Sequence, residues 1–247
     1  HGICVPLDFM LTEEETVNFI NHSESKVLIA QERKGVDLAS IKSRCPLLKE
    51  VVVVGQAPLW PMVGWDTLFA QGKKMPLLRG DQKDCAAIFY TSGSTGHPKG
   101  VPLSYYHFDN PVQCFEYFLH PVASDVLLCG GIPFSHVGGL DFILLMLHFG
   151  VTLVLMERFA PLDFLKHIEQ YRATIFCIVP SMYVAILSLK EYDKFNLSSL
   201  RYAVVFGAPS SAVLLKRFLT ACPDAYLLNG WGMPETAAPN SYLPTGT

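Results

Sequence analysis

Residues 90–100 read Tyr90-Thr91-Ser92-Gly93-Ser94-Thr95-Gly96-His97-Pro98-Lys99-Gly100, and they follow the apolar run Ala86–Tyr90. Thr91, Ser92, Ser94 and Thr95 place hydroxyls beside glycines and a lysine in a turn after a predicted strand. Glycines let backbone N–H groups approach an anion closely. Hydroxyls donate to phosphate oxygens, and Lys99 supplies a point charge. The spacing does not fit G-x-x-x-x-G-K-[ST], so this is not a Walker A loop. Composition alone suits a phosphate-binding loop and an ordinary surface turn equally.

Outward from this loop the pattern alternates between strand and helix. Downstream, a helix is expected over 105–118, a strand at 126–129, a helix at 139–149 and a strand at 152–156. Pro161 suits the first turn of a helix running to Tyr171. Then come a strand at 174–179, a helix at 181–189 and a strand at 202–206. Ser210 or Ser211 is placed to cap a helix whose Leu214, Leu215, Phe218 and Leu219 form one apolar face. Residues 225–228 are the last predicted strand. Upstream, Thr12-Glu13-Glu14-Glu15 is a capping box that starts a helix near Glu13. Strands are expected at 26–30 and 51–54, the latter four valines suited to burial on both faces. Pro58, Pro61 and Pro76 break the pattern, leaving loops and a short helix over 65–70. Such alternation predicts an α/β fold of layered, largely parallel sheets flanked by helices. Ligands in such sheets lie at the carboxyl ends of strands.

Bulk composition narrows the function classes. Half of the 247 residues are hydrophobic and only 17% are charged, with a net charge of −3. That implies deep burial and gives no electrostatic footprint for nucleic acid. Cys4, Cys45, Cys85, Cys114, Cys129, Cys177 and Cys222 show no C-x-x-C pair. Free thiols in a reducing compartment, the cytoplasm, fit better than a disulfide or zinc framework. His97, His107, His120, His148 and His167 show no ligand spacing with carboxylates. The apolar stretch 142–156 contains His148 and Gly150 and is too short to span a membrane. No signal peptide opens the chain. It begins with His1 in mid-pattern, so further residues are expected upstream.

The order of residues in 90–100 resembles, without a gap, the phosphate-loop signature of the adenylate-forming (AMP-binding) superfamily, most like acyl-CoA synthetases and fatty-acid–CoA ligases. The resemblance extends over most of the chain. Ile132-Pro133-Phe134-Ser135-His136-Val137-Gly138-Gly139 resembles the P-x-x-H-x-x-G element at the acyl pocket. Phe206-Gly207-Ala208-Pro209 resembles the strip against the adenine, and Asn229-Gly230-Trp231-Gly232-Met233-Pro234-Glu235 the G-Y-G-x-T-E motif. Val5-Pro6-Leu7, Lys26–Ile29, Val179–Tyr183 and Leu200-Arg201 also fall where the family has similar residues.

The resemblance implies a site. Thr91, Ser92, Gly93, Ser94, Thr95, Gly96 and Lys99 would hold the ATP phosphates. Gly207, Ala208, Pro209, Asn229, Gly230 and Trp231 would take the adenine. His136, Gly138 and Gly232 would form the acyl pocket. Glu235 would hold Mg²⁺ as a hard oxygen ligand, and Lys99 and Glu235 would serve catalysis. The implied activity is ATP-dependent activation of a carboxylic acid, fatty or aryl, to an acyl-adenylate, followed by transfer to CoA. The resemblance makes 1–247 a partial N-terminal domain, with 1–84 a leading α/β part and 85–247 the nucleotide- and acyl-binding part. The family's C-terminal domain with its lysine would follow, and the piece alone is expected to be inactive.

Two departures sharpen the expectation. Pro234 stands where the family carries a Thr that bonds the α-phosphate, and proline has neither hydroxyl nor backbone N–H. Relatives that activate amino acids place an Asp near the His136 region. Here Phe134-Ser135-His136-Val137 has none and Asp141 lies a turn or more beyond, which argues for an uncharged acid. Two rival readings remain at this stage: a non-catalytic relative that binds acyl or adenylyl ligands, and an adenylation domain of a peptide or polyketide assembly line.

Overall fold

The computed structural model describes residues 2–55, 62–72, 80–91 and 98–244. The leading part contains α1 (Glu13–His22), β1 (Val27–Gln31), α2 (Leu38–Arg44), β2 (Glu50–Val54), β3 (Val63–Gly64) and α3 (Trp65–Gln71). β4 (Cys85–Thr91) and β5 (Lys99–Ser104) follow. A 3-10 turn over Tyr105–Phe108 leads into α4 (Asp109–Leu119). The chain then runs β6 (Val126–Cys129), α5 (Val137–Phe149), β7 (Thr152–Leu155), α6 (Pro161–Tyr171), β8 (Ile175–Ile178) and α7 (Pro180–Leu187). It ends with β9 (Tyr202–Val205), α8 (Ala212–Leu219), β10 (Tyr226–Trp231) and β11 (Ser241–Pro244).

The main sheet has the strand order β11-β10-β9-β8-β6-β7, parallel except for the β10–β11 pair. Side chains alternate across it with a period of two. Leu128, Phe176, Ile178, Ala203, Val205 and Leu227 face α6, α7 and α8, burying Phe164, Ile168, Tyr183 and Phe218. Leu127, Cys129, Ile175, Cys177, Val204 and Leu228 face α4 and α5, burying Phe115, Phe142 and Leu145. Burial on both faces explains why these strands are continuous apolar runs. A smaller parallel sheet, β1-β2-β3, packs on α1 and α2 through Val17, Ile20, Ile41 and Val51. Thr12 and Glu15 cap α1 reciprocally, at 3.3 and 2.8 Å.

An ionic knot closes the amino-terminal edge of the main sheet. Asp125, 2% exposed, precedes β6 and accepts hydrogen bonds from Arg201 at 2.6 and 2.7 Å. It also accepts from the Thr174 hydroxyl at 2.7 Å and the Val122 N–H at 2.9 Å. Thr174 and Arg201 immediately precede β8 and β9. The opposite, carboxyl-terminal edge is thereby left to the loops that form the cleft.

Three differences from the sequence reading bear on the site, two in strands and one in a helix. The stretch 99–104 forms β5, antiparallel to β4, with Thr91 opposite Lys99 and Ile88 opposite Pro102. Gly100 and Pro102 disguised it, since both residues are depleted in strands. Proline is accommodated because this pair forms a two-stranded sheet with a free edge on β5. The helix expected from Tyr105 begins as a 3-10 turn, and α4 proper starts at Asp109. Finally, β10 continues through Trp231 because β11, absent from the sequence reading, pairs with its last residues, Gly230 opposite Tyr242 and Trp231 opposite Ser241. No described helix is long and apolar enough to cross a membrane.

Candidate functional site

The carboxyl ends of β8, β9 and β10 and the first turns of α5 enclose a cleft of about 60 Å³. Its walls include His136 and Gly138 from α5, Gly207 after β9, and Gly230, Trp231 and Gly232 from the end of β10. Residues far apart in the chain therefore meet in one cavity. Glycine is what lets them meet. A Cβ on Gly138 would lie 3.0 Å from the Phe206 ring, and one on Gly230 would lie 2.7 Å from the Tyr242 ring. On Gly232 it would lie 2.4 Å from the Cβ of Ala238 and 2.9 Å from Pro239 backbone. Gly207 adopts φ +83°, a left-handed conformation open to glycine.

His136 caps α5, and its Nδ1 accepts the Gly138 N–H at 3.1 Å. The neutral tautomer compatible with that bond carries its proton on Nε2. Burial against the protein holds the imidazole below its ordinary pKa, although one side of the residue is open to solvent. The ring is thus a neutral donor at pH 7.

The remaining site residues surround the cleft. Ala208 and Pro209 continue the exposed strip after Gly207, and Asn229 is half-buried within β10. Glu235 is exposed on a 3-10 turn, Pro234–Thr236. Lys99 is exposed and Thr91 half-buried, opposite one another across β4 and β5. Ser92, Gly93, Ser94, Thr95 and Gly96 lie outside the described residues. The β4–β5 hairpin is nonetheless tied to the cleft. Its Ala87, Phe89 and Leu103 share a buried cluster with Val137 of α5 and with Ala237 beside Glu235. Tyr90 anchors the same hairpin to α1, its ring 4.4 Å from Phe19 and its hydroxyl 2.7 Å from His22 Nδ1.

The model of the AMP-binding enzyme family matches residues 1–246. The chain belongs to that family. 4-Coumarate–CoA ligase 1 of Petroselinum crispum is 29% identical over 238 residues, covering 91% of this chain and 42% of that protein. A crystal structure of the anthranilate CoA ligase AuaEII with anthranoyl-AMP superposes with a TM-score of 0.88 at 24% identity, over 97% of this chain and 47% of that one. A long-chain-fatty-acid–CoA ligase of Archaeoglobus fulgidus superposes with a TM-score of 0.86 at 21% identity, over 97% and 49%. This AMP-binding chain thus spans less than half the length of each.

Several cleft residues in this AMP-binding fold went unnoticed in the sequence. Phe115, Cys177, Val204 and Tyr242 line it and read as ordinary core, while Phe142 and Leu145 belong to the apolar run 140–147, which suits a greasy pocket as well as core. Asp141, a turn or more beyond His136, lines the same cavity. Gly138, Asp141, Phe142 and Leu145 recur at i, i+3, i+4 and i+7, one face of α5, but the other faces are apolar too, so the spacing alone does not single this face out.

Proposed function

We propose that this chain forms the ATP- and acid-binding part of a carboxylate–CoA ligase. One observation carries the reading: His136 and Gly138 share a single cleft with Gly207, Gly230, Trp231 and Gly232. An acid and a nucleotide bound there would lie side by side. A carboxylate oxygen attacks the α-phosphorus of ATP, pyrophosphate leaves, and a CoA thiol later displaces AMP from the acyl carbon. Juxtaposition removes the entropic cost of bringing two substrates together.

The residues fit such ligands. The exposed bare backbone at Gly207 admits close approach, and Trp231, 60% exposed, presents a ring face for stacking a base. Lys99 and the hydroxyls of 91–95 supply donors for phosphate oxygens. Glu235 is exposed and offers a hard-oxygen ligand, and no group of three metal-binding side chains gathers among the described residues. Glu235 would hold Mg²⁺, which would supply charge neutralisation for phosphoryl transfer. The largely apolar walls favour an uncharged acyl or aryl tail.

Pyrophosphate release by the product of the full reading frame, across a panel of aryl and aliphatic acids, tests this. Lys99→Ala is expected to reduce the rate by about 10- to 100-fold, the worth of a charge-assisted phosphate contact. Unchanged release in that variant, or no release with any acid, overturns the assignment. Pro234 favours a second reading, a relative that binds nucleotide without turnover. ATP binding by calorimetry without pyrophosphate release would select it.

A further inference from the structure

Glu235 stands on an irregular connection, residues 232–240, that joins β10 to β11. Ala237 in this connection adopts φ +53°, a left-handed conformation. Alanine is strained there, and such strain persists only where the surroundings over-determine it. Local bonds supply part of the restraint. The Thr236 and Ala237 N–H groups donate to the Met233 and Pro234 carbonyls at 3.1 and 3.0 Å, and the Asn240 N–H donates to Trp231 at 2.9 Å.

The remaining restraint comes from a distant part of the chain. Asn110, the second residue of α4, donates from Nδ2 to the Thr236 carbonyl at 3.3 Å and to the Pro239 carbonyl at 3.5 Å. An amide nitrogen carries two hydrogens, so one side chain serves both acceptors. The two carbonyls lie on either side of Ala237. Asparagine ordinarily bonds its own neighbouring backbone, whereas this exposed one reaches across to another element. The helix end that carries it is itself anchored. Phe108, just before α4, packs on the buried cluster in which Ala87, Phe89 and Leu103 of the β4–β5 hairpin meet Ala237. Asn110 also follows Lys99 on one continuous stretch, through β5 and the 3-10 turn.

We propose that Asn110 is a positioning residue: its amide clamps the Glu235 turn to the hairpin that carries Lys99, so that the two charged groups keep a fixed relation when nucleotide and Mg²⁺ bind. This rests on the ligase reading above, in which Glu235 holds the metal. A ligand fixed before binding spares the cost of ordering it afterwards.

The test uses the full-length enzyme with Mn²⁺ as the probe, titrated by water-proton relaxation in the presence of α,β-methylene-ATP. This arm needs no turnover, so it reads the clamp whether or not any acid is activated. Asn110→Leu keeps the size of the side chain and removes both donors. It is expected to weaken Mn²⁺ binding by about three- to tenfold, the worth of a hydrogen bond or two. The Mg²⁺ concentration that half-saturates pyrophosphate release should rise by the same factor, with the KM for the acid unchanged. Asn110→Gln, which keeps an amide, should recover part of the loss. In a Glu235→Gln background, Asn110→Leu should add nothing, because positioning acts through Glu235.

Unchanged Mn²⁺ affinity in Asn110→Leu, where Glu235→Gln loses it, overturns the clamp and leaves the ligase reading standing. Additive losses in the double variant also overturn it, since they mark Asn110 as a general support of the fold. Unchanged affinity in Glu235→Gln takes the metal away from Glu235, and the proposal falls with it.

Discussion

Asp141 makes a prediction about stability. Its carboxyl titrates higher in the folded chain than in the unfolded one. The folded state therefore holds the extra proton, and its stability is fully expressed below the unfolded pKa of about 4. That contribution declines as pH rises toward the folded pKa, by at most ~1.4 kcal/mol per pH unit. The groups around it do not share this slope. Burial pushes the Cys114 thiol up to about 11 and raises those of Cys177 and the Tyr242 phenol further, so all stay neutral. His136 is held below its ordinary range, so its own titration falls under neutrality. Urea unfolding between about pH 4 and pH 7 should show wild-type stability falling relative to Asp141→Leu. Parallel curves would contradict the buried acid. Pro234 poses the complementary question at the nucleotide. The Thr236 hydroxyl is already engaged with the Met233 carbonyl at 3.1 Å and with Asn240, so it is not free to replace a missing Thr. Pro234→Thr is expected to strengthen ATP use by about 10- to 100-fold. Pyrophosphate exchange in the full-length enzyme measures it, and no gain would show that the proline is neutral.

At the level of elements, the turn that follows β10 is tightly packed. Gly232 leaves the strand against Ala238 and Pro239 with no room for a methyl group. Gly232→Ala should cost about 1–3 kcal/mol through overpacking and shift the Trp231 ring. Thermal melting and Trp fluorescence would detect both, and a wild-type melt would mean that the turn yields freely. The β4–β5 hairpin belongs to this scale as well. The sequence showed strand β4 and its hydroxyl-rich turn, but not β5, because Gly100 and Pro102 mask strand propensity. Only pairing with β4 reveals that Lys99 stands on a strand opposite Thr91. By contrast the start of α1, both ends of α6 and the apolar face of α8 were legible, since the Thr12–Glu15 box, Pro161 and the Leu215/Phe218 spacing are local signals.

For the whole molecule, the two edges of the main sheet divide their work. The amino edge is locked by Asp125, Thr174 and Arg201, and the carboxyl edge carries the cleft. Arg201→Ala leaves Asp125 buried without its cation, and should cost about 3 kcal/mol. Urea denaturation reads this. The cleft, at the other end of the same strands, should keep its ligand preference in conditions where the variant is folded. A loss below ~1 kcal/mol would mean that Thr174 and the Val122 N–H suffice to hold Asp125.

The sequence by itself determined the layered α/β class, the order of nearly all helices and main-sheet strands, and the motifs around His136, Gly207 and Gly230. Those are encoded locally, in hydrophobic period, caps and short runs of residue types. The tertiary structure alone decided that these motifs share one cleft, that β11 extends β10 through Trp231, and that Asp141 faces the cavity. Each depends on contacts between residues distant in the chain. An apolar helix such as α5 is hydrophobic nearly all round, so its pattern does not reveal which face meets the sheet and which meets a cavity. The direction in which Asp141 points is settled by packing against β8, β9 and β11, and only the folded chain contains that information.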